Sequence, residues 1–334
     1  MVERILIVAP SWVGDAILSE PLIALLREPL QAPLVDVLAS PWCAPVYARM
    51  RGVRNIVNNP FGHGSIKLGA RRALARSLRA KQYTRAFVLP NSFKSALIPW
   101  LARIPRRVGY IGEARRMLLT DARVLDVRAV PRLVDRFVAL AAGPQDIPPK
   151  APAPVLVPDA VNAADAMRSL GLATHRPIAA LCPGAEYGPA KRWPAEHFVT
   201  LARRLVDSGY TVWLIGSEGD RGVADPIADA VPRVRNACGR TDLGTAIDLL
   251  SQASVVVSND SGLMHAAAAV GRPLVALFGS SSPVFTPPLS PLARIARIDI
   301  ECSPCFQREC PLGHFRCMRE LSPNVVYDLA RAMR

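Results

Sequence analysis

Short runs of consecutive apolar residues alternate along this chain with longer stretches in which apolar side chains recur every three or four positions. Arg4–Ala9 (RILIVA) is a run of the first kind, and Ile17, Leu18, Leu22, Leu25 and Leu26 behind it are spaced as one face of a helix. The same beat predicts strands at Val35–Ala39, Asn55–Val57, Ala86–Leu89, Ile178–Cys182, Thr211–Ile215, Asn236–Gly239, Val255–Val257 and Leu274–Phe278. It predicts helices around Cys43–Met50 and over Gly69–Gln82, Arg132–Ala142, Ala195–Ser208, Asp242–Gln252, Leu263–Val270 and Pro323–Met333. Ile104–Tyr110 and Ala122–Leu125 read as further strands or connections. Strands alternating with helices imply an α/β protein with mostly parallel, doubly wound sheets, which bind ligands beyond the carboxyl ends of their strands.

The beat lapses at Gly143–Asp159, which holds six prolines and reads as a linker. At 334 residues the chain is long for one domain, so two are expected, 1–150 and 151–334, facing each other across a cleft. No internal repeat is visible residue by residue.

Charge separates the two halves. Residues 1–150 carry 23 Lys/Arg against 10 Asp/Glu, residues 151–334 carry 18 against 17, and residues 37–112 hold 14 Lys/Arg and no acid. An anionic partner for the first half is implied: nucleic acid, a phospholipid surface or a phosphorylated substrate. Within it Arg72, Arg76 and Arg79 share one helix face, and Lys94 follows a strand end. No apolar stretch of membrane-spanning length runs uninterrupted, since the one after His265 is cut by Arg272 and Pro273. The first strand is too short for a signal-peptide core. A cytoplasmic protein with mostly reduced cysteines is expected.

The stretch Ser254–His265 (SVVVSNDSGLMH) concentrates candidate chemistry. A buried strand runs into a small polar turn and then an Ala-rich helix, whose first N–H groups lack partners and carry the positive end of the dipole. Gly262 admits a phosphate to the backbone, and Asp260 suits sugar hydroxyls; alternatively Asp260 or Ser261 simply caps the helix. Lys191 is either a solvated loop lysine or the counter-charge of that anion. Glu218, after a strand-ending Gly-Ser, either accepts from ribose hydroxyls or is a surface acid. His265 shares a helix face with Ser261, as a contact or as a structural histidine. Asp15 opens the first helix, where it either stabilises the dipole or faces the cleft as a general base. The absence of G-x-G-x-x-G argues against a dinucleotide site. Cys302, Cys305, Cys310 and Cys317, with His314 between them, could close a zinc site, although the second pair is not C-x-x-C; free thiols or disulfides are the other readings.

Taken together, VGDAILSEPLIALLRE, LPNSFKSAL, CPGAEYGPAKRWP, SNDSGLMHAAAAVGRPLVALFG and SSSPVFTPPLS resemble the ADP-heptose:lipopolysaccharide heptosyltransferases of glycosyltransferase family 9, in order and at natural spacing as far as about residue 291. The resemblance is greatest to the type that adds the second heptose. It implies the glycosyltransferase B-type fold, two Rossmann-like domains with acceptor on the first and nucleotide sugar on the second. It implies Asp15 as catalytic base, Lys191 on the diphosphate, Glu218 on the ribose, Thr241 where the backbone meets adenine, and Asp260, Ser261, Gly262 and His265 in the donor loop. It also implies an inverting transfer from ADP-heptose to the inner core of lipopolysaccharide, with no cofactor needed for catalysis. The basic face, with Arg72, Arg76, Arg79 and Lys94, would meet the acceptor's phosphates and carboxylates at the inner face of the inner membrane. The cysteine cluster lies outside the resemblance. A sugar-nucleotide epimerase of the same fold would not need the basic half. A nucleic-acid-binding protein would not need the phosphate loop and Lys191, and no nucleic-acid motif is present.

Overall fold

The computed structural model describes residues 2–27, 33–62, 66–143 and 146–333. Glu28 of the first motif, residues 63–65 of the acid-free run, and Pro144 and Gln145 of the proline-rich stretch lie outside the described residues. The chain divides into two units, Met1–Pro154 and Val155–Arg334.

In the first unit β1 (Arg4–Val8), β2 (Leu34–Ala39), β3 (Val53–Asn58), β4 (Arg85–Val88), β5 (Arg106–Tyr110) and β6 (Asp121–Arg123) form one sheet in the order β3-β2-β1-β4-β5-β6. Every pairing is parallel. Ile5, Leu6 and Ile7 are all fully buried, as they must be in a parallel sheet with helices on both faces. This explains why the strand reads as a continuous apolar run and not as an alternation. One fully buried acid is tolerated in the sheet. Asp36 in β2 is fully buried and accepts from the Arg54 guanidinium at 2.8 Å and the Tyr83 hydroxyl at 2.6 Å. Burial works against its charge, but Arg54 and Tyr83 together outweigh it and hold the carboxyl below its usual range.

The second unit repeats the plan. The strands β7 (Ile178–Cys182), β8 (Thr211–Leu214), β9 (Arg235–Asn236), β10 (Val255–Asn259), β11 (Leu274–Leu277) and β12 (Ala293–Ala296) run β12-β11-β10-β7-β8-β9, again all parallel. Counted from its own first strand this is the same order as in the first sheet. In each unit the chain leaves the middle of the sheet, fills one side and crosses to the other. The switch points therefore fall between β1 and β4 and between β7 and β10, where doubly wound sheets open a crevice. The core behind the second is fixed by the helix Ala195–Asp207, which buries Phe198, Leu201, Leu205 and Val206, each worth roughly 1.5–3 kcal/mol against exposure.

Several elements differ from the sequence expectation. The first helix breaks in two at Ser19, between Val13–Leu18 and Glu20–Leu26, with Pro21 near the start of the second piece. Proline there has no N–H to continue the first. The helices Ala160–Ser169 and Arg221–Ala230 and the strand β12 have no counterpart in the apolar pattern. The strand expected at Asn236–Gly239 is only Arg235–Asn236, because the backbone turns at Gly239, whose φ is +73°.

Candidate active site

At the second switch point β7 runs into Pro183-Gly184 and a loop ending in a single turn at Pro189–Lys191, while β10 runs into Asp260 and the helix Gly262–Ala269. The two loops meet in an ion pair: Lys191 Nζ lies 2.5 Å from Asp260 Oδ2, and the side chains are 16% and 4% exposed. The Ser281 hydroxyl, from the loop after β11, donates to the same oxygen. Asp260 Oδ1 has no partner among the described residues. Beneath the pair, the buried amide of Asn259 accepts from Trp193 N–H at 3.1 Å and donates to Pro183 O at 2.7 Å. Trp193 in turn packs edge-on against Phe198 and donates to Leu321 O at 2.9 Å. The loop that carries Lys191 is thus pinned to the core on both sides of the lysine.

The helix beyond Asp260 is left open at its head. Helices starting after Ser92, Asp159, Asp242 and Ser322 are closed by a side-chain oxygen on a backbone N–H, but Ser261 makes no such cap. Its hydroxyl faces Ser258 Oγ at 3.3 Å instead. The first N–H groups of the helix therefore have no capping side chain, with a lysine nearby and a glycine as first helical residue. The sequence alternative of an ordinary cap does not hold for Ser261.

His265 sits one turn into this helix, 5% exposed. Burial, with the Lys191 charge adding and the Asp260 charge opposing, pulls its pKa down to about 4. The imidazole is neutral in the working range. The unfolded chain takes up this proton near 6.5, so stability holds above that value and falls as the pH drops from 6.5 towards 4. The loss is up to about 3 kcal/mol. Urea melts of the native protein and of His265→Gln at about pH 7.5 and about pH 4.5 check this: the variant's stability should fall less between the two.

Glu218 follows β8 and Thr241 follows β9, its neighbour in the sheet. Glu218 is exposed and loosely paired with Arg221 at 3.5 Å. It reaches over Gly239, whose φ of +73° lies in the left-handed region that favours glycine. The Thr241 hydroxyl is buried without a hydrogen-bond partner among the described residues.

In the first unit Asp15 lies in the first turn of the helix Val13–Leu18, at the β1 side of the switch point, and is half-buried. Its loop is braced by Trp42 Nε1, which donates to Ser11 O at 2.8 Å, and Trp12 and Trp42 flank it as exposed rings. On the β4 side, Lys94 is the second residue of the helix Phe93–Leu101. Arg115, fully buried, holds that loop by donating to Tyr110 O, Pro90 O and Asn91 Oδ1; burial lowers its pKa to about 10. On the helix Leu68–Arg79, Arg72 and Arg76 are exposed as expected. Arg79 also braces the fold through Leu101 O at 2.8 Å. Their buried neighbour Arg71 lies over the Phe61 ring and donates to Lys94 O.

The zinc expectation finds no support. Cys302, Cys305, Cys310 and Cys317 do line one small cavity with His314. Yet no group of three or more His, Cys, Asp or Glu among the described residues is arranged to hold a metal ion. Cys310 Sγ lies 3.9 Å from His314 Nδ1 and accepts from Phe315 N–H at 3.4 Å, His314 Nδ1 accepts from Arg316 N–H at 3.0 Å, and Cys317 abuts Gly279.

Sequence reading missed Ser281, Asn259 and Tyr187, whose ring lies 4.9 Å from Lys191 Nζ. Only the polar residues after a predicted strand end signalled Ser281.

Comparison with known proteins agrees with the geometry. Residues 71–316 match glycosyltransferase family 9 (heptosyltransferase). The chain is 43% identical to lipopolysaccharide heptosyltransferase 2 of Salmonella typhimurium, covering 97% of both chains. It is 46% identical to lipooligosaccharide heptosyltransferase 2 of Haemophilus influenzae, also covering 97% of each. It superposes on the structure of E. coli ADP-heptose lps heptosyltransferase II with a TM-score of 0.88 and 40% identity, covering 99% of this chain and 98% of that one. Two parallel α/β units, a lysine–aspartate pair at an open helix head, and this degree of likeness lead to one conclusion: the chain belongs to glycosyltransferase family 9 and is a heptosyltransferase enzyme of the glycosyltransferase B-type fold.

Proposed function

We propose that this enzyme moves a heptose from ADP-heptose to the inner core of lipopolysaccharide, adding the second heptose to heptosyl-Kdo2-lipid A with inversion at the anomeric carbon. The observation that carries the reading is the Lys191–Asp260 pair beside the uncapped helix head at the second switch point. A diphosphate leaving group gathers negative charge as its bond to the sugar breaks, and a lysine with oriented N–H groups stabilises that charge without reorganising. Asp260 Oδ1 accepts from the sugar, Glu218 from the ribose hydroxyls, and the backbone near Thr241 meets the adenine. Asp15 takes the proton of the acceptor hydroxyl as it attacks the anomeric carbon from the opposite face. No cofactor is required for these steps.

An epimerase of the same fold is disfavoured by transferase relatives along the whole length. A nucleic-acid-binding role leaves the lysine–aspartate site unexplained. An assay of ADP release separates the three. A transferase releases ADP only with acceptor present, an epimerase converts the sugar nucleotide without release, and a binding protein does neither.

The first unit supplies the polyanion's counter-charge, and its basic face makes peripheral contact with the inner leaflet from the cytoplasmic side. No helix among the described residues is long and apolar enough to cross a membrane. Charge reversal at Arg72 and Arg76 is expected to raise the KM for the lipid acceptor about 10-fold at low salt and less at high salt. The KM for the nucleotide sugar should not change. Two-substrate kinetics at two ionic strengths check this, and equal losses for both substrates would remove the face from the acceptor site.

A further inference from the structure

We propose that Arg308, in the cysteine-rich segment, is a second cation for the donor's diphosphate and acts beside Lys191. The proposal rests on the reading of the second switch point as the donor site. Asp260, 2.5 Å from Lys191, offsets part of the lysine's charge, and His265 is uncharged, so a diphosphate carrying more than one negative charge leaves room for a second cation. Arg192, next in the chain, is engaged in donating to Ala185 O. Arg308 remains. Its guanidinium lies 5.3 Å from the Tyr187 ring centroid, and Lys191 Nζ lies 4.9 Å from the same centroid. The two cations are therefore at most about 10 Å apart, gathered by one aromatic ring. Arg308 is exposed, and no carboxylate among the described residues is paired with it.

Its place is built by the backbone. Arg308 O accepts from Ala190 N–H at 3.0 Å, and a Cβ on Gly188 would lie 2.4 Å from that oxygen, so the loop before Lys191 fits against it only as glycine. Phe306 O accepts from the Tyr187 hydroxyl at 2.7 Å, Phe306 N–H donates to Ser280 O at 2.6 Å, and Ser303 Oγ donates to Gly279 O at 2.7 Å. The segment 303–308 thus straps together the loop that carries Lys191 and the loop that carries Ser281, both of which hold Asp260. A strap that served only to brace these loops would not need an exposed arginine, without a carboxylate partner among the described residues, within reach of the same ring as the lysine. A guanidinium there offers two parallel N–H donors to a phosphate.

The test is calorimetric titration of ADP and of AMP into the native protein, Arg308→Ala, Arg308→Gln, Arg308→Lys and Lys191→Ala. Arg308→Ala and Arg308→Gln are expected to weaken ADP about 10-fold or more and AMP by less than about 3-fold, with part of the loss recovered in Arg308→Lys. The donor KM should rise in step while the acceptor KM stays. ADP affinity unchanged in the alanine and glutamine variants overturns the proposal, as does equal weakening of ADP and AMP. If the native protein binds neither nucleotide, or Lys191→Ala binds ADP as the native protein does, the donor-site reading itself falls, which is a different result.

Discussion

Asp15→Asn is expected to lower kcat at least about 100-fold while leaving ADP affinity within about 2-fold of the native value. The reason for the split is that Asp15 belongs to the first unit and the residues proposed to bind the nucleotide belong to the second. The competing role is helix stabilisation. The helix Val13–Leu18 starts after Trp12 and has no side-chain cap, and Asp15 lies in its first turn, where a carboxylate favours the dipole by about 0.3–1 kcal/mol. Removing that charge costs little stability and no chemistry. Removing a base costs chemistry and little stability. The neighbouring Cys43 thiol and Tyr47 phenol are both pushed up, first by burial and in smaller part by the Asp15 charge, so neither stands ready as a substitute base. Steady-state kinetics with a thermal melt of the same sample decide it. Near-native turnover in a folded variant would return Asp15 to the dipole.

Lys191→Ala is expected to fail in two ways at once. Donor kcat/KM should fall roughly 100- to 1000-fold, because the leaving diphosphate loses a preorganised cation. Stability should fall by about 3 kcal/mol, because Asp260, 4% exposed, is left with hydroxyl support and no cation. The two losses can be pulled apart. Lys191→Ala combined with Asp260→Asn removes the orphaned charge and should recover most of the stability but none of the activity. Recovery of both would mean that the pair serves only the fold. Because Lys191 and the helix head do the work of a divalent cation in this mechanism, chelator should leave native turnover intact. Strict dependence on added magnesium would refute that assignment.

The parts of the fold that could be read from the sequence were those written in local pattern. The β1 and β10 strands appear as unbroken apolar runs because both faces of a parallel sheet are covered. The helix Ala160–Ser169 escaped because it buries only Ala163 and Ala166, which leave no apolar stripe, and Arg221–Ala230 because Pro226 interrupts it. The matching strand orders of the two sheets were invisible because spatial order is not a local property. The same limit applies to the site. Lys191 and Asp260 could each be singled out, but not their pairing across 69 positions. Ser281 and Tyr187 fell inside stretches that carried the resemblance but could not be singled out, since a serine in a loop and a tyrosine after a glutamate are ordinary. The cysteine cluster is a different case. Its spacing left a metal, free thiols or disulfides open, and the structure gives the metal reading no support; Cys310 and His314 accept from backbone N–H groups, and the segment straps two loops.

The most direct test of the whole account is the mass of the product. Native protein, ADP-heptose and heptosyl-Kdo2-lipid A should yield an acceptor heavier by one heptose residue, with one ADP released for each sugar transferred. ADP released without a heavier acceptor, or an unchanged acceptor with the sugar nucleotide consumed, would contradict it.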